Sequence, residues 1–329
     1  MTKKSTMKYL RHVILLSSTM LIGQYAGAQS PSPDAQMNQF KQSMIDKYQF
    51  DRKTIQALFK DFKPNHVILE RMQKPYEAKP WPVYRDFFIT PSRTEQGNAY
   101  WKRHYKLLKQ AEATYGVPAR IIVAILGVES FYGQHVGKYP VFNSLATLSF
   151  YYPKRSQFFK KELSNLLLLS REQKYPASDI KGSYAGAIGF AQFMPSSIRH
   201  YGISASKKKH IDLNQDADAI LSIANYLKEN GWKRGEAIAQ PVEIKKTFQP
   251  SYVSNNVSRF YNKAALYHEG LITPLKENRA AIFYLPKNNK PQAWAAFNNF
   301  KSIMRYNPRT PYAMAVFQLS QTFTAPAGK

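Results

Sequence analysis

Arg120-Ile-Ile-Val-Ala-Ile-Leu-Gly-Val-Glu-Ser-Phe-Tyr-Gly133 places one carboxylic acid at the end of an apolar run. Pro118, just upstream, suits the opening of a helix, because its fixed φ matches the first turn and its missing N–H is not needed there. At helical spacing Glu129 falls under Ile122, Ile125 and Leu126, so its carboxyl is expected to face the core rather than water. Burial disfavours the charged form. An acid still protonated near neutral pH can give its proton to a leaving oxygen, the step that opens a glycosidic bond. A buried glutamate paired with a base fits this stretch by itself equally well.

Outward from that helix the pattern stays helical. Thr94 to Tyr115 reads as one helix ending at Gly116, and further helices fit Lys154 to Glu172, Ser196 to Tyr201 and Asp216 to Asn230. Met37 to Phe59 forms a helical preface. The segment Lys74-Pro-Tyr-Glu-Ala-Lys-Pro-Trp-Pro82 has no helical period and reads as a strap between two units. Between Lys233 and Pro291 short apolar runs, Val242 to Phe248 and Ala280 to Leu285, alternate with polar turns and one short helix near Asn256 to Tyr267, the texture of a small β-containing insert. A last helix covers Tyr312 to Phe323. The expected fold class is mainly α, divided as 1–28 signal, 29–80 N-terminal helical region, 81–232 catalytic core, 233–297 β-containing insert and 298–329 a loop and helix closing the core.

The 329 residues suffice for two or three domains. Lys3, Lys4, Lys8 and Arg11, then the apolar run Val13 to Ile22, then Ala26-Gly27-Ala28 form an export signal, with cleavage expected after Ala28 and a periplasmic destination. There is no cysteine, hence no disulfide and no lipid-bearing cysteine as membrane anchor. Removing the signal's four basic residues from the 47 Lys and Arg leaves 43 against 21 acids, a surface that seeks polyanions. The basic residues are scattered, with Lys207-Lys208-Lys209 the longest run. That distribution fits a solvated positive face better than a nucleic-acid groove, and wall polymers are the polyanions an exported protein meets.

A second dense constellation is Lys181-Gly-Ser-Tyr-Ala-Gly-Ala-Ile-Gly-Phe-Ala-Gln-Phe-Met-Pro-Ser-Ser197. Three glycines allow close backbone approach, Gln192 offers donor and acceptor, and Pro195 starts a helix. A polar, glycine-rich loop beside aromatics suits a sugar; a tight helix–helix crossing would use the same glycines.

With both constellations, and with Leu145-Ala-Thr-Leu-Ser-Phe-Tyr-Tyr-Pro153 and Arg305-Tyr-Asn-Pro-Arg-Thr-Pro-Tyr-Ala-Met-Ala-Val-Phe317, the chain resembles the membrane-bound lytic transglycosylase B family of murein-cleaving enzymes, glycoside hydrolase family 103. The resemblance implies a lysozyme-like core and a single catalytic carboxylate, Glu129, acting on the bond between N-acetylmuramic acid and N-acetylglucosamine to leave 1,6-anhydromuramic acid ends. It assigns Ser183 to an N-acetyl group, Gln192 to the sugar beside Glu129, Tyr84, Tyr226, Tyr306 and Tyr312 to aromatic groove positions, Asn307 to a polar one and Arg155 to a carboxylate of the substrate. Lys154 stands where relatives often carry a second arginine. Hydrolysis of either stereochemistry needs a second carboxylate, and none occupies a motif position; Glu162 and Asp179 read as helix surface and loop.

Relatives can carry a calcium loop before the helix that begins near Asp216. Here its acidic positions read Ser204, Ser206 and Lys208, so no calcium, no other metal and no cofactor is expected. The expected partners are murein glycan strands, with cell-wall synthesis proteins as a further class; neither nucleic acid nor a membrane anchor is expected, and the protein should act as a monomer. The competing readings are a hydrolytic muramidase and a non-catalytic murein-binding scaffold.

Overall fold

The computed structural model describes residues 31–73, 79–206, 210–288 and 290–327. The expected signal, most of the proline-rich strap and Lys208 lie outside these residues.

Local capping sets the helix boundaries. α1 (Pro33–Asp46) starts where the Ser32 hydroxyl accepts from Ala35 N, and α2 (Arg52–Lys60) where the Asp51 carboxylate accepts from Thr54 N. The preface expected as one helix from Met37 to Phe59 is therefore two, because Asp51 offers a cap in mid-pattern. α3 (His66–Gln73) and α4 (Trp81–Phe88) follow. The strap read through Pro82 ends earlier, since proline is accepted in the first turn of α4. The helix expected from Thr94 to Tyr115 breaks at His104 into α5 (Pro91–Arg103) and α6 (Tyr105–Tyr115), which stops at Gly116 with φ +76°. α7 (Ala119–Ser130) carries Glu129.

β1 (Tyr139–Pro140) leads into α8 (Val141–Tyr151) and α9 (Ser156–Gln173), and pairs with β2 (Lys181–Gly182) at the entrance to the glycine-rich loop. α10 (Pro195–Tyr201) and α11 (Asp216–Glu229) complete the middle region. Then come β3 (Ala239–Pro241), β4 (Tyr261–Asn262), α12 (Lys263–His268), β5 (Arg279–Lys287), β6 (Lys290–Ala296), α13 (Asn298–Met304) and α14 (Thr310–Gln321). Among the described residues no single helix is long and apolar enough to cross a membrane.

α7 is the central post: Ile121 through Gly127 are all buried, with α5, α6, α11 and α14 packed around it. One core runs from Phe40 to Phe323, so the N-terminal helices and α14 share it with α7. The insert is a four-stranded antiparallel sheet in the order β3-β6-β5-β4, with Phe283 opposite Trp294. Along β5 the pleat sends Ala281, Phe283 and Leu285 into the main core and Ala280 and Ile282 into a second one with Phe248, Leu266 and Phe297. Burial on both faces explains the continuous apolar run in the sequence.

Two expectations within the insert change. Val242 to Phe248 is no strand; only Ile244 bridges, to Leu271, because a turn from Lys245 to Phe248 interrupts pairing. The short helix lies at Lys263–His268, not from Asn256, because the Ser254 hydroxyl and the Asn256 side-chain Oδ1 accept from Ser258 N in a local turn.

Candidate active site

Glu129 sits in the last turn of α7 and is half-buried, not turned into the core as its spacing suggested. From Ile121 to Gly127 α7 is buried on every side, so no face could be singled out from the periodicity; burial eases again at Val128 and Glu129 in its last turn. There Tyr312 Oη donates to Glu129 Oε1 at 2.5 Å. Tyr306 stacks on Tyr312 with ring centroids 6.3 Å apart and planes at 17°, and Tyr226 lies 4.9 Å from Tyr306. Phe193 and Tyr201 extend the cluster beyond Tyr226. Tyr84, buried on α4 against Phe88, adds to the electrostatic environment of Tyr312.

Burial, followed by the negative charge of Glu129, holds the Tyr306 and Tyr312 phenols protonated well above the usual tyrosine range. Burial, then Tyr201, pushes Tyr226 up to about 12. All three phenols therefore stay donors at any physiological pH. Their protons are committed, however: Tyr226 Oη donates to Arg305 O at 2.6 Å and Tyr306 Oη to Ala191 O at 2.6 Å. To a sugar these two rings offer a face and a lone pair, their protons being already given.

The glycine-rich loop is tied to the acid from both sides. Ser130 Oγ, next to Glu129, donates to Phe190 O at 2.8 Å, while Tyr306 holds the adjacent Ala191. Gly186 has φ +89°, and a Cβ there would meet Leu145 at 2.4 Å. At the loop's start Ser183 Oγ accepts from Ala187 N at 3.0 Å, which leaves its own proton to donate to a carbonyl. Gln192 has φ +48° and gives its amide nitrogen to Gly189 O and Val136 O, which leaves its carbonyl oxygen to accept from a ligand. Ser183 and Gln192 thus flank Val136 and Gly137, whose backbone touches Gly182 so closely that a Cβ at Gly137 would clash at 2.2 Å.

The chain leaves α7 through a turn in which Phe131, Tyr132 and Gly133 are all left-handed, with φ of 51°, 58° and 89°. For the two non-glycine residues this costs roughly 1–2 kcal/mol each. Tyr132 N–H bonds Leu126 O, and its hydroxyl donates to Arg93 O at 2.7 Å. A Cβ at Gly127 would meet that hydroxyl at 2.6 Å, the physical need for glycine inside this helix.

Other acids have structural tasks. Glu162, read as helix surface, is buried: its two oxygens accept from Ser196 N and Ser196 Oγ at 3.0 and 2.8 Å, capping α10 from α9. Asp216 accepts from Tyr100 Oη at 2.7 Å. Buried Asp218 accepts from Ala205 N and Asp212 N, both at 2.8 Å, and so closes the loop before α11 with its own carboxylate. The Ser204 and Ser206 hydroxyls in that loop lie 3.2 Å apart and bond each other. Neutral hydroxyls and a carboxylate already filled by backbone N–H groups do not fit a calcium ion, and Lys208 falls outside the described residues. Among those residues no three His, Asp or Glu side chains gather as metal ligands.

The structure brings together Glu129, Tyr84, Tyr226, Tyr306 and Tyr312, and joins Ser183 and Gln192 to them through the loop. Asn307 is half-buried in the loop ahead of α14, beside Tyr306 in the chain. Arg155 stays apart: exposed at the start of α9, its guanidinium lies 4.2 Å from the Phe158 ring centroid, with no contact to the cluster among the described residues. Sequence reading missed Phe193, Tyr201, Ser130 and Arg93. Phe193 and Ser130 stood inside quoted blocks, whereas Tyr201 and Arg93 carry no local signal.

The chain is similar to known proteins along most of its length. The chain is 37% identical over 321 residues to the membrane-bound lytic murein transglycosylase B of Escherichia coli, covering 93% of this chain and 87% of that one. Its fold matches the crystal structure of the soluble lytic transglycosylase SltB1 from Pseudomonas aeruginosa with a TM-score of 0.82 and 38% identity, over 87% of this chain and 97% of that one. It matches the Escherichia coli lytic transglycosylase Slt35, solved in complex with calcium, with a TM-score of 0.80 and 36% identity, over 91% and 96% of the two chains. The transglycosylase SLT domain matches residues 32–321, and the chain belongs to that family, with its lysozyme-like fold.

Proposed function

We propose that Glu129 is the single catalytic group of a lytic transglycosylase that cleaves the β-1,4 bond between N-acetylmuramic acid and N-acetylglucosamine in peptidoglycan without water. Glu129 gives its proton to the glycosidic oxygen as that oxygen leaves C1 of the muramic acid. The carboxylate so formed takes the proton of the same sugar's C6 hydroxyl, whose oxygen closes on C1 as the 1,6-anhydro ring. Glu129 ends protonated, ready for the next bond. Tyr312 stabilises the carboxylate while it exists, Ser183 donates to an N-acetyl oxygen, Gln192 accepts from a sugar hydroxyl, and Tyr84, Tyr226 and Tyr306 present ring faces. Asn307 and Arg155 complete the substrate contacts on this reading, Arg155 at the periphery.

One observation carries it. Glu162 and Asp218, the buried acids among the described residues, are both consumed by structural donors, Glu162 by Ser196 N and Ser196 Oγ and Asp218 by Ala205 N and Asp212 N, whereas Glu129 opens onto the tyrosine cluster. Hydrolysis would need a second carboxylate across the bond, about 5 Å away if retaining and about 6.5–9.5 Å if inverting. The reaction needs no cofactor. The chain divides into a signal (1–28), an N-terminal helical region (29–80), a catalytic core (81–232), the insert (233–297) and a closing segment (298–329), and the exported enzyme works in the periplasm as a monomer on glycan strands. A mature N-terminus at Gln29 tests export. Glu129→Gln tests the chemistry: it should fold and bind murein but release no anhydromuropeptides. Products heavier by one water, or an active variant, would overturn the mechanism.

A further inference from the structure

Arg93, in the first turn of α5, is 8% exposed, and no carboxylate pairs with it among the described residues. An ion taken out of water without a counter-ion is costly, so a retained guanidinium needs a task. Three of its contacts converge on the exit from the helix that carries Glu129. Nε donates to Gly127 O at 3.0 Å, two residues before the acid. The guanidinium lies 4.8 Å from the ring centroid of Phe131, two residues after it. The backbone carbonyl of Arg93 accepts the Tyr132 hydroxyl at 2.7 Å. On its other side Nη1 donates to Phe87 O, with the Phe87 and Phe88 rings at 5.5 and 5.2 Å.

The turn so gripped is the one in which two aromatic residues hold left-handed φ, a conformation they keep only when the surroundings impose it. A planar fork can bond a carbonyl in its plane and stack a ring on its face together; an ammonium cannot. We propose that Arg93 is a positioning residue for the transglycosylase reaction: it clamps Gly127, Phe131 and Tyr132, and through them sets the aim of the Glu129 carboxyl toward Tyr312. Arg93 never meets the substrate. The proposal rests on Glu129 being the catalytic acid.

The test compares wild type, Arg93→Met and Arg93→Lys on purified murein, with thermal melts as the check of folding. Arg93→Met should lower kcat by about 10- to 100-fold, the cost of a slightly misplaced catalytic group, with KM changed less than about twofold. The pH–kcat profile should move as well, because the acid no longer sits squarely on its tyrosine. Arg93→Lys should not restore kcat, since charge alone is not the device. In a Phe131→Gly background, where glycine adopts the turn freely, Arg93→Met should cost much less. Should Arg93→Met fail to fold, Tyr132→Phe, which removes one buried oxygen, should give the same fall in kcat at constant KM. A folded Arg93→Met or Tyr132→Phe with wild-type kcat and pH profile overturns the proposal. Wild type yielding no anhydro ends would instead overturn the function.

Discussion

Tyr312 Oη donates to Glu129 Oε1 across 2.5 Å, although 183 residues separate the two in the chain. α14 lies along α7, and this bond joins the end of one helix to the start of the other. A hydrogen bond to a charged group is worth roughly 1.5–3 kcal/mol. Tyr312→Phe is therefore expected to lower kcat by about 10- to 100-fold. It should also move the basic limb of the pH–rate profile upward, because the carboxylate loses a donor that favours it. Steady-state kinetics across pH checks this; an unchanged rate and limb would remove Tyr312 from the mechanism.

Glu162→Gln separates a structural acid from a catalytic one. The amide can keep its oxygen on Ser196 N and give its nitrogen to Ser196 Oγ, which then accepts instead of donating, so only the charge assistance is lost, about 1 kcal/mol of stability. Mass spectra of the products should still show anhydro ends only. A switch to water-containing products would make Glu162 part of the chemistry.

The loop before α11 should be indifferent to calcium. Its closure comes from Asp218, so the melting temperature is expected to be the same in chelator and in millimolar calcium. Asp218→Asn should destabilise by about 1–3 kcal/mol, and added calcium should not rescue it. A rise in the wild-type melting temperature with calcium would contradict the donor chemistry described above.

Alkali should unfold the protein through its tyrosines. Tyr226, Tyr306 and Tyr312 all hold their protons more tightly when folded than the ordinary value of 10.0. Above that value the unfolded chain ionises first and binds fewer protons, so stability falls as pH rises. Their contribution is intact below about pH 10 and is lost upward from there, through about 12 for Tyr226. Chemical denaturation at pH 8, 10 and 11 measures the slope. Replacing Tyr226 by Phe should flatten it.

Much of the site could be read along the chain because its parts are locally coded. Pro118 opens the helix that carries Glu129, Gly116 closes the one before it, and the glycines of the 182–189 loop mark close approaches that the fold realises against Leu145, Leu213 and the Gly137 backbone. What periodicity could not supply was the direction of Glu129, since a helix buried all round has no distinguishable face. The left-handed Phe131 and Tyr132 were equally hidden, because nothing in two aromatic residues announces a conformation that Arg93 and α5 impose from outside. Glu162 looked like surface because the group that covers it, Ser196 on α10, lies 34 residues on.

Residue order alone settled the α-helical class and pointed to β structure between Lys233 and Pro291, to Glu129 and to the glycine loop, since caps, turns and hydrophobic period act over a few neighbouring residues. Packing alone decided which hydroxyls still have protons to give, which acids are spent on N–H groups, and what holds the turn behind Glu129. Those outcomes depend on burial and on partners 34 to 183 residues away, where a side chain's environment is set by helices meeting in space.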